Sequence, residues 1–354
     1  MRIGIFDPYL DDLGGGEKYM VSLAQCLSSN NSVTIFWNNK NDLKRVADRF
    51  SLDISRINVR KNIFSRDYPF LKRCFDSLSY DAIVVLSDGS IPFVLSKKLF
   101  IHFQQPMPSV KMSLKNSLKK IKVTSFFCNS FFTKSFIDKE FGINSKVIYP
   151  PVSGTSSTGK KENIILHVGR FRDMKSKLQD YKKQGLMSDV FKKMVNSDLK
   201  DWKFILAVGL QDDDRPKFNR LQKSIQGYPI EFSINLSNGD LRKVYSKSKI
   251  YWHASGYGEN LDRNPQLAEH FGISTVEAMG AGIVPVVINA GGQREIVQNG
   301  KNGYLWDNLE EFIAKTEYLI KDKKMWQEMS ENAIKRSRIF TGDRFCKDIK
   351  NLIK

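Results

Sequence analysis

The run Ile283-Val-Pro-Val-Val-Ile288, standing directly behind Gly280 and Gly282, constrains the fold more than any other stretch. Six apolar residues without alternation make a strand covered on both faces, the condition of a parallel sheet with helices on either side. Ahead of it, Ser274 and Glu277 have the Ser-x-x-Glu spacing of a capping box. They predict a helix that starts near Ser274, runs through Val276, Ala278 and Met279, and cannot go far beyond Gly280 and Gly282. Behind the strand, Asn289-Ala-Gly-Gly292 is a glycine turn. A helix N-terminus at Phe271-Gly272-Ile273-Ser274 offers unpaired N–H groups and a positive dipole end to phosphate or sugar oxygens. Glu269 and Glu277 surround it. Taken alone, Glu277 could be only the far half of a capping box and Glu269 only a loop carboxylate.

At 354 residues, with 41% hydrophobic and 27% charged residues, the chain suits two well-cored domains. Strands are expected at Arg2–Phe6, Ser32–Trp37, Ala82–Leu86, Leu99–Phe103, Val123–Cys128 and Val147–Val152, with helices between them. A polar stretch, 153–162, reads as a flexible linker. Further strands follow at Ile164–Gly169, Phe204–Val208, Ile250–Ala254 and Tyr304–Trp306. Asp307 is expected to cap a helix through Ile320, and another helix runs from about Lys324 to Arg338. Strands alternating with helices argue two doubly wound α/β sheets. The domains are therefore set at 1–152 and 163–338, with 339–354 as a C-terminal helix. Cys26, Cys74, Cys128 and Cys346 have no CxxC spacing, so neither a zinc site nor a disulfide framework is expected, and a reducing cytoplasm fits. No apolar run approaches the ~20 residues that span a bilayer, and Met1-Arg2 leads straight into a strand rather than a signal peptide.

Glu269-x7-Glu277 followed by AMGAG, VPVV and GGQREIV resembles the donor-site signature of retaining glycosyltransferases of family 4. That resemblance, strongest over 250–306, implies the GT-B fold, two Rossmann-like domains facing each other across a cleft. It implies a nucleotide-sugar donor, GDP- or UDP-linked, held mainly by the second domain. Glu277 would accept from ribose hydroxyls, Glu269 would bind the transferred hexose, and the N–H groups of Gly272, Ile273 and Ser274 would meet sugar and phosphate. Arg170 and Lys177, with Lys175 as the neighbouring alternative, would hold the diphosphate. The glycine loop before Glu17, with Gly15 and Gly16, resembles the family's first ligand-approaching loop. His102, at the end of an N-domain strand before Gln-Gln-Pro, resembles the histidine that faces the donor sugar; a lone histidine is also often structural. The C-terminal helix would cross back onto the first domain. The family implies front-face attack, with the leaving phosphate helping to deprotonate the acceptor, and needs no metal. Asp212-Asp213-Asp214 reads as a solvated turn rather than a cation site, and no cofactor is expected.

The net charge of +18 points to an anionic partner. Between Asp88 and Asp138 there is no acid but eight lysines. Val110, Leu114, Leu118 and Ile121 recur at helical spacing, flanked by Lys111, Lys115, Lys119 and Lys122. This segment is expected to be an amphipathic helix against an anionic membrane surface, where the enzyme, peripheral on the cytoplasmic face, meets a lipid-linked glycan acceptor. The alternatives are a soluble transferase acting on a free sugar or sugar phosphate, and a basic nucleic-acid-binding protein. The last lacks any aromatic-interleaved RNA motif or DNA-reading helix, so no nucleic-acid partner is expected. The resemblance to mannosyltransferases that use GDP-mannose favours mannose as the hexose.

Overall fold

A computed structural model describes residues 1–107, 119–152, 159–171 and 181–354. They form two compact units, 1–151 together with 342–354, and 152–341. Unit 1 holds seven strands: β1 (Arg2–Phe6), β2 (Ser32–Phe36), β3 (Ile57–Arg60), β4 (Ala82–Leu86), β5 (Lys98–Phe103), β6 (Ser125–Cys128) and β7 (Lys146–Val147). Their order is β3-β2-β1-β4-β5-β6-β7, and every pairing is parallel. Unit 2 holds β8 (Ile164–Arg170), β9 (Lys203–Gly209), β10 (Ile230–Ile234), β11 (Ile250–His253), β12 (Val284–Ile288) and β13 (Tyr304–Trp306). Their order is β10-β9-β8-β11-β12-β13, again parallel throughout. Each unit is thus a doubly wound Rossmann-like sheet whose order reverses beside its first strand, between β1 and β4 and between β8 and β11.

The apolar runs are the central strands. All five residues of β4 and all five of β12 are buried. Pro285 is tolerated inside β12 because β13 starts only opposite Val286, so no ladder bond is lost on that side. The close approach this allows requires a glycine: a Cβ on Gly303 would lie 2.5 Å from Pro285 Cγ. The edge strands β3 and β10 carry no such run. In β3 half-buried and exposed residues alternate, as suits a strand covered on one face.

Three local expectations are corrected. The helix Leu309–Lys321 is capped by Asn308, whose side chain accepts from Glu311 N at 2.9 Å, not by Asp307. The exit strand reaches only Val147, one bond short of the pairing of Ile148 N with Cys128 O at 2.9 Å. Cys26 and Cys346 are joined by a disulfide across 320 residues. Their sequence spacing carried no sign of it, because the pairing depends on the helix Gly342–Ile353 packing onto the helix Gly15–Ser28, which brings the two Cα atoms to 5.2 Å. Phe345, Ile349, Leu352 and Ile353 from that last helix enter the core of unit 1, where Phe345 meets Tyr19 edge-on.

Asp212–Asp214 is a short 3-10 turn in which Asp212 pairs with Arg215 at 2.8 Å. Lys111 and Lys115 lie outside the described residues; Lys119 is half-buried and Lys122 exposed. Between them, Lys120 donates to Phe141 O and Gly142 O, completing the carbonyl end of the helix Phe131–Phe141. Among the described residues no helix is long and apolar enough to cross a membrane.

Candidate active site

The reversal of strand order in unit 2 places the carboxyl ends of β8 and β11 side by side, the position where open α/β sheets bind ligands. Strand β11 ends in His253, and the loop after it returns Glu269 to the same point. Glu269 Oε2 accepts from Lys182 Nζ at 2.8 Å and from His253 Nε2 at 3.0 Å. The lysine and glutamate side chains are 18% and 19% exposed, and His253 only 1%. Burial opposes ionisation of Glu269, yet the Lys182 ammonium and the His253 donor outweigh it and hold the carboxyl well below the usual range. For Lys182 burial likewise works against the charge, and Glu269 overrides it, holding the ammonium above its ordinary pKa. Burial pushes the His253 imidazole down, against the opposing pull of Glu269. Both partners bind the same oxygen, Oε2. The next residue, Lys183, fixes the same loop a second time through Glu259 at 2.6 Å.

The glycine turn after β12 holds Glu269 in place. Gly292 N donates to Glu269 O at 2.8 Å, and a Cβ on Gly292 would lie 2.4 Å from Phe271 Cα. Gly272, at φ +115°, then begins the helix Ile273–Gly280. The cap is therefore Gly272 rather than Ser274, and the expected capping box does not form: Ser274 already lies inside the first turn. Its hydroxyl is 2.7 Å from Tyr251 OH instead. Glu277 Oε2 accepts from Tyr245 OH at 3.2 Å. The far end of the helix is met by a cation, Lys161 Nζ donating to Ala281 O at 2.6 Å. Gln293, fully buried beside Gly272, has neither amide atom hydrogen-bonded among the described residues.

Arg170 is the last residue of β8, level with Gly209 in β9, and its carbonyl accepts from Gln184 Nε2 at 3.5 Å. Lys177 and Lys175 lie outside the described residues. Lys182, His253, Tyr245 and Tyr251 were not singled out from sequence. His253 carried the one available signal, a histidine at the carboxyl end of an apolar strand; Lys182 carried none, since its role depends on a loop 87 residues away.

The model of the family described as "Glycosyl transferases group 1" matches residues 154–336. The chain belongs to the group 1 glycosyl transferases. Among curated relatives of this glycosyl transferase is GDP-Man:Man(3)GlcNAc(2)-PP-Dol alpha-1,2-mannosyltransferase of Dictyostelium discoideum, 25% identical over 231 residues, 61% of this chain and 43% of the relative. The chain thus matches less than half the length of that protein. Alpha-1,3/1,6-mannosyltransferase ALG2 of the same organism is 24% identical over 100% of this chain and 98% of its own. Among solved structures, Anabaena HepE in complex with UDP and glucose superposes with a TM-score of 0.72 at 17% identity, covering 99% of this chain and 98% of that one.

In unit 1 of this glycosyl transferase, His102, the penultimate residue of β5, is fully enclosed, its ring stacked between Tyr19 and Phe127 at 4.2 and 4.3 Å. Nδ1–H donates to Phe127 O at 3.1 Å, Nε2 has no partner among the described residues, and burial lowers the pKa to about 3. Gly15 and Gly16 open the helix Gly15–Ser28, where Glu17 accepts from Gly14 N. A Cβ on Gly16 would lie 2.5 Å from Gln104 Oε1.

Asp7, directly after β1 beside the order reversal, is buried with Oδ1 accepting from Tyr9 N at 2.9 Å and Oδ2 without a partner among the described residues. Burial, then Glu17, and to a smaller extent Asp11 and Asp12, push its carboxyl up to about 8 against the Tyr9 N–H. Below about 8 the native Asp7 keeps a proton that the unfolded chain gives up above about 4. Its stabilising contribution is therefore complete in acid and declines by about 1.4 kcal/mol per pH unit as pH rises between those values. Asp7→Asn should gain on the parent in Tm as pH is raised from about 5 to about 8. A difference in Tm that is constant with pH would contradict this.

Proposed function

We propose that the chain is a retaining, metal-independent hexosyltransferase. It moves a hexose, mannose in preference, from a GDP- or UDP-linked sugar to a lipid-linked glycan acceptor, working peripherally on the cytoplasmic face of a membrane. The observation that carries the reading is Glu269, pinned through one oxygen by Lys182 and His253, three residues before a helix N-terminus at the switch point of unit 2. Mannose and a lipid-linked acceptor are supported by the names of the two Dictyostelium relatives. The anionic membrane contact through Lys111, Lys115, Lys119 and Lys122 is supported by the net charge of +18.

In this reading Oε1 of Glu269 accepts from a hexose hydroxyl, and Glu277 accepts from the ribose. The N–H groups of Gly272, Ile273 and Ser274 meet sugar and phosphate oxygens. The glycosyl C–O bond to phosphate breaks while the acceptor oxygen bonds to the same face of the anomeric carbon. The acceptor's proton passes to the leaving phosphate, and Arg170, with Lys177, holds the charge that develops there. Gly15 and Gly16 are assigned to nucleotide-sugar binding as well.

Calorimetric titration and product analysis test this. Glu277→Ala should weaken nucleoside diphosphate binding by roughly 1.5–3 kcal/mol, the worth of hydrogen bonds to a charged group. Arg170→Ala should slow transfer by about 10²–10³-fold with Tm unchanged, the effect of removing one preorganised donor. Transfer should survive excess EDTA, and an α-linked donor should give an α-linked product. Unchanged nucleotide affinity in Glu277→Ala, or activity abolished by EDTA and restored by Mn²⁺, would defeat the site assignment. Equal turnover on a free sugar and on a lipid-linked acceptor would favour the soluble transferase instead.

A further inference from the structure

We infer that the helix Phe70–Leu78, in the crossover from β3 to β4, is a membrane-insertion surface that seats unit 1 on an anionic bilayer. This deepens the peripheral-membrane part of the function proposed above and rests on it in that respect alone; the surface is distinct from the lysine segment.

The helix is turned the wrong way round for a core element. Of its nine residues only Cys74 and Ser77 are buried. Its large apolar side chains face water: Phe70 is 52% exposed, Leu71 70%, Phe75 70% and Leu78 53%. Leu71, Phe75 and Leu78 follow i, i+4, i+7 spacing and so line one stripe, with Phe70 at its head. Phe93, from the loop before β5, is 40% exposed and adds its ring beside Phe70 at 5.8 Å. Elsewhere the exposed large apolar side chains of the described residues are dispersed along the chain. A contiguous patch of this kind marks an interaction site rather than ordinary surface.

Charge decides what the patch meets. Lys61, Arg66 and Lys72 are exposed around it, and Lys61 and Lys72 stand at 5.8 and 5.5 Å from the same ring, Tyr68. Of the two nearby acids, Asp76 is engaged by the Tyr68 hydroxyl and Asp67 is exposed. Phe and Leu on one face with Lys and Arg at the margin is the composition of a helix that lies in the plane of a lipid interface, its apolar side sunk to the headgroup boundary. The net charge of +18 adds long-range attraction to an anionic leaflet.

Flotation with vesicles of phosphatidylcholine, alone or mixed with phosphatidylglycerol, reads this without substrate, so failure here leaves the transfer reaction untouched. The parent should float with the mixed vesicles at low salt and less at high salt. Leu71→Ser/Phe75→Ser, at exposed positions, should keep the parent's Tm and lose about tenfold or more in vesicle affinity, since binding scales with buried apolar area. Lys61→Glu/Lys72→Glu should lose binding mainly at low salt. Phe75→Trp should show a blue shift in emission, relative to the parent, when mixed vesicles are added. Parent-like flotation by the serine variant, or a Phe75→Trp emission unmoved by vesicles, would overturn the inference. So would a parent that elutes as a dimer while the serine variant elutes as a monomer, because the patch would then be covered by a second copy.

Discussion

Lys182→Met should cost about 3–5 kcal/mol of stability, because it leaves the Glu269 carboxylate largely buried without its cation. On the function proposed above, the same change should also slow transfer, since Lys182 fixes Oε2 of Glu269 and thereby the setting of Oε1, the atom proposed to meet the hexose. Restoring neutrality separates the two effects. Lys182→Met/Glu269→Gln removes charge from both partners, so much of the lost stability should return while transfer stays low. Urea unfolding of the parent, both single variants and the double variant gives the coupling directly. The reading fails if Lys182→Met unfolds within about 0.5 kcal/mol of the parent, as expected for an exposed pair.

Desolvation lowers the pKa of all four histidines, three of them fully enclosed and His270 half-buried: His102 and His167 to about 3, His270 to about 4, and His253 below its ordinary value. As pH falls through about 6.5 the unfolded chain takes up protons at these positions and the native chain does not. Stability is therefore present above that value and lost below it, by about 1.4 kcal/mol per pH unit for each of His102, His167 and His270, with His253 acting in the same direction. Asp7 opposes with one group of the other sign. Glu269 adds to the loss only once pH drops beneath the usual carboxylate range. Denaturant unfolding at about pH 7 and about pH 5 should show a fall of several kcal/mol, its slope set by His102, His167 and His270 against Asp7, about two net protons, with His253 adding in the same direction. A flat profile across that interval would mean that the rings titrate freely in the native state.

What sequence reveals here follows how local the cause is. The runs at β4, β11 and β12 announce buried parallel strands because burial on both faces demands unbroken apolar residues. β3 and β10, at the sheet edges, meet the core with one face and so have no such run to show. The placing of Glu269, Glu277 and the glycine turn beside one another was legible because a loop, a helix start and a turn follow each other within the 24 residues 269–292. The capping box was misread at the same place: Gly272 can take φ +115°, so the helix starts earlier and Ser274 is released to Tyr251. Lys182 and Cys346 could not be read at all. Each matters through a partner far along the chain, and nothing beside either residue records the meeting.

The helix Gly342–Ile353 belongs to unit 1 although all of unit 2 is made before it. At the ribosome, with about 5–20 residues added per second, the hydrophobic face that receives Phe345, Ile349, Leu352 and Ile353 waits uncovered for tens of seconds. During that interval Cys26 has no thiol to join, and unit 2, whose strands are contiguous in the chain, can close on its own. Unit 1 is begun before unit 2 and completed after it, so its core becomes native only once the helix Gly342–Ile353 has been made.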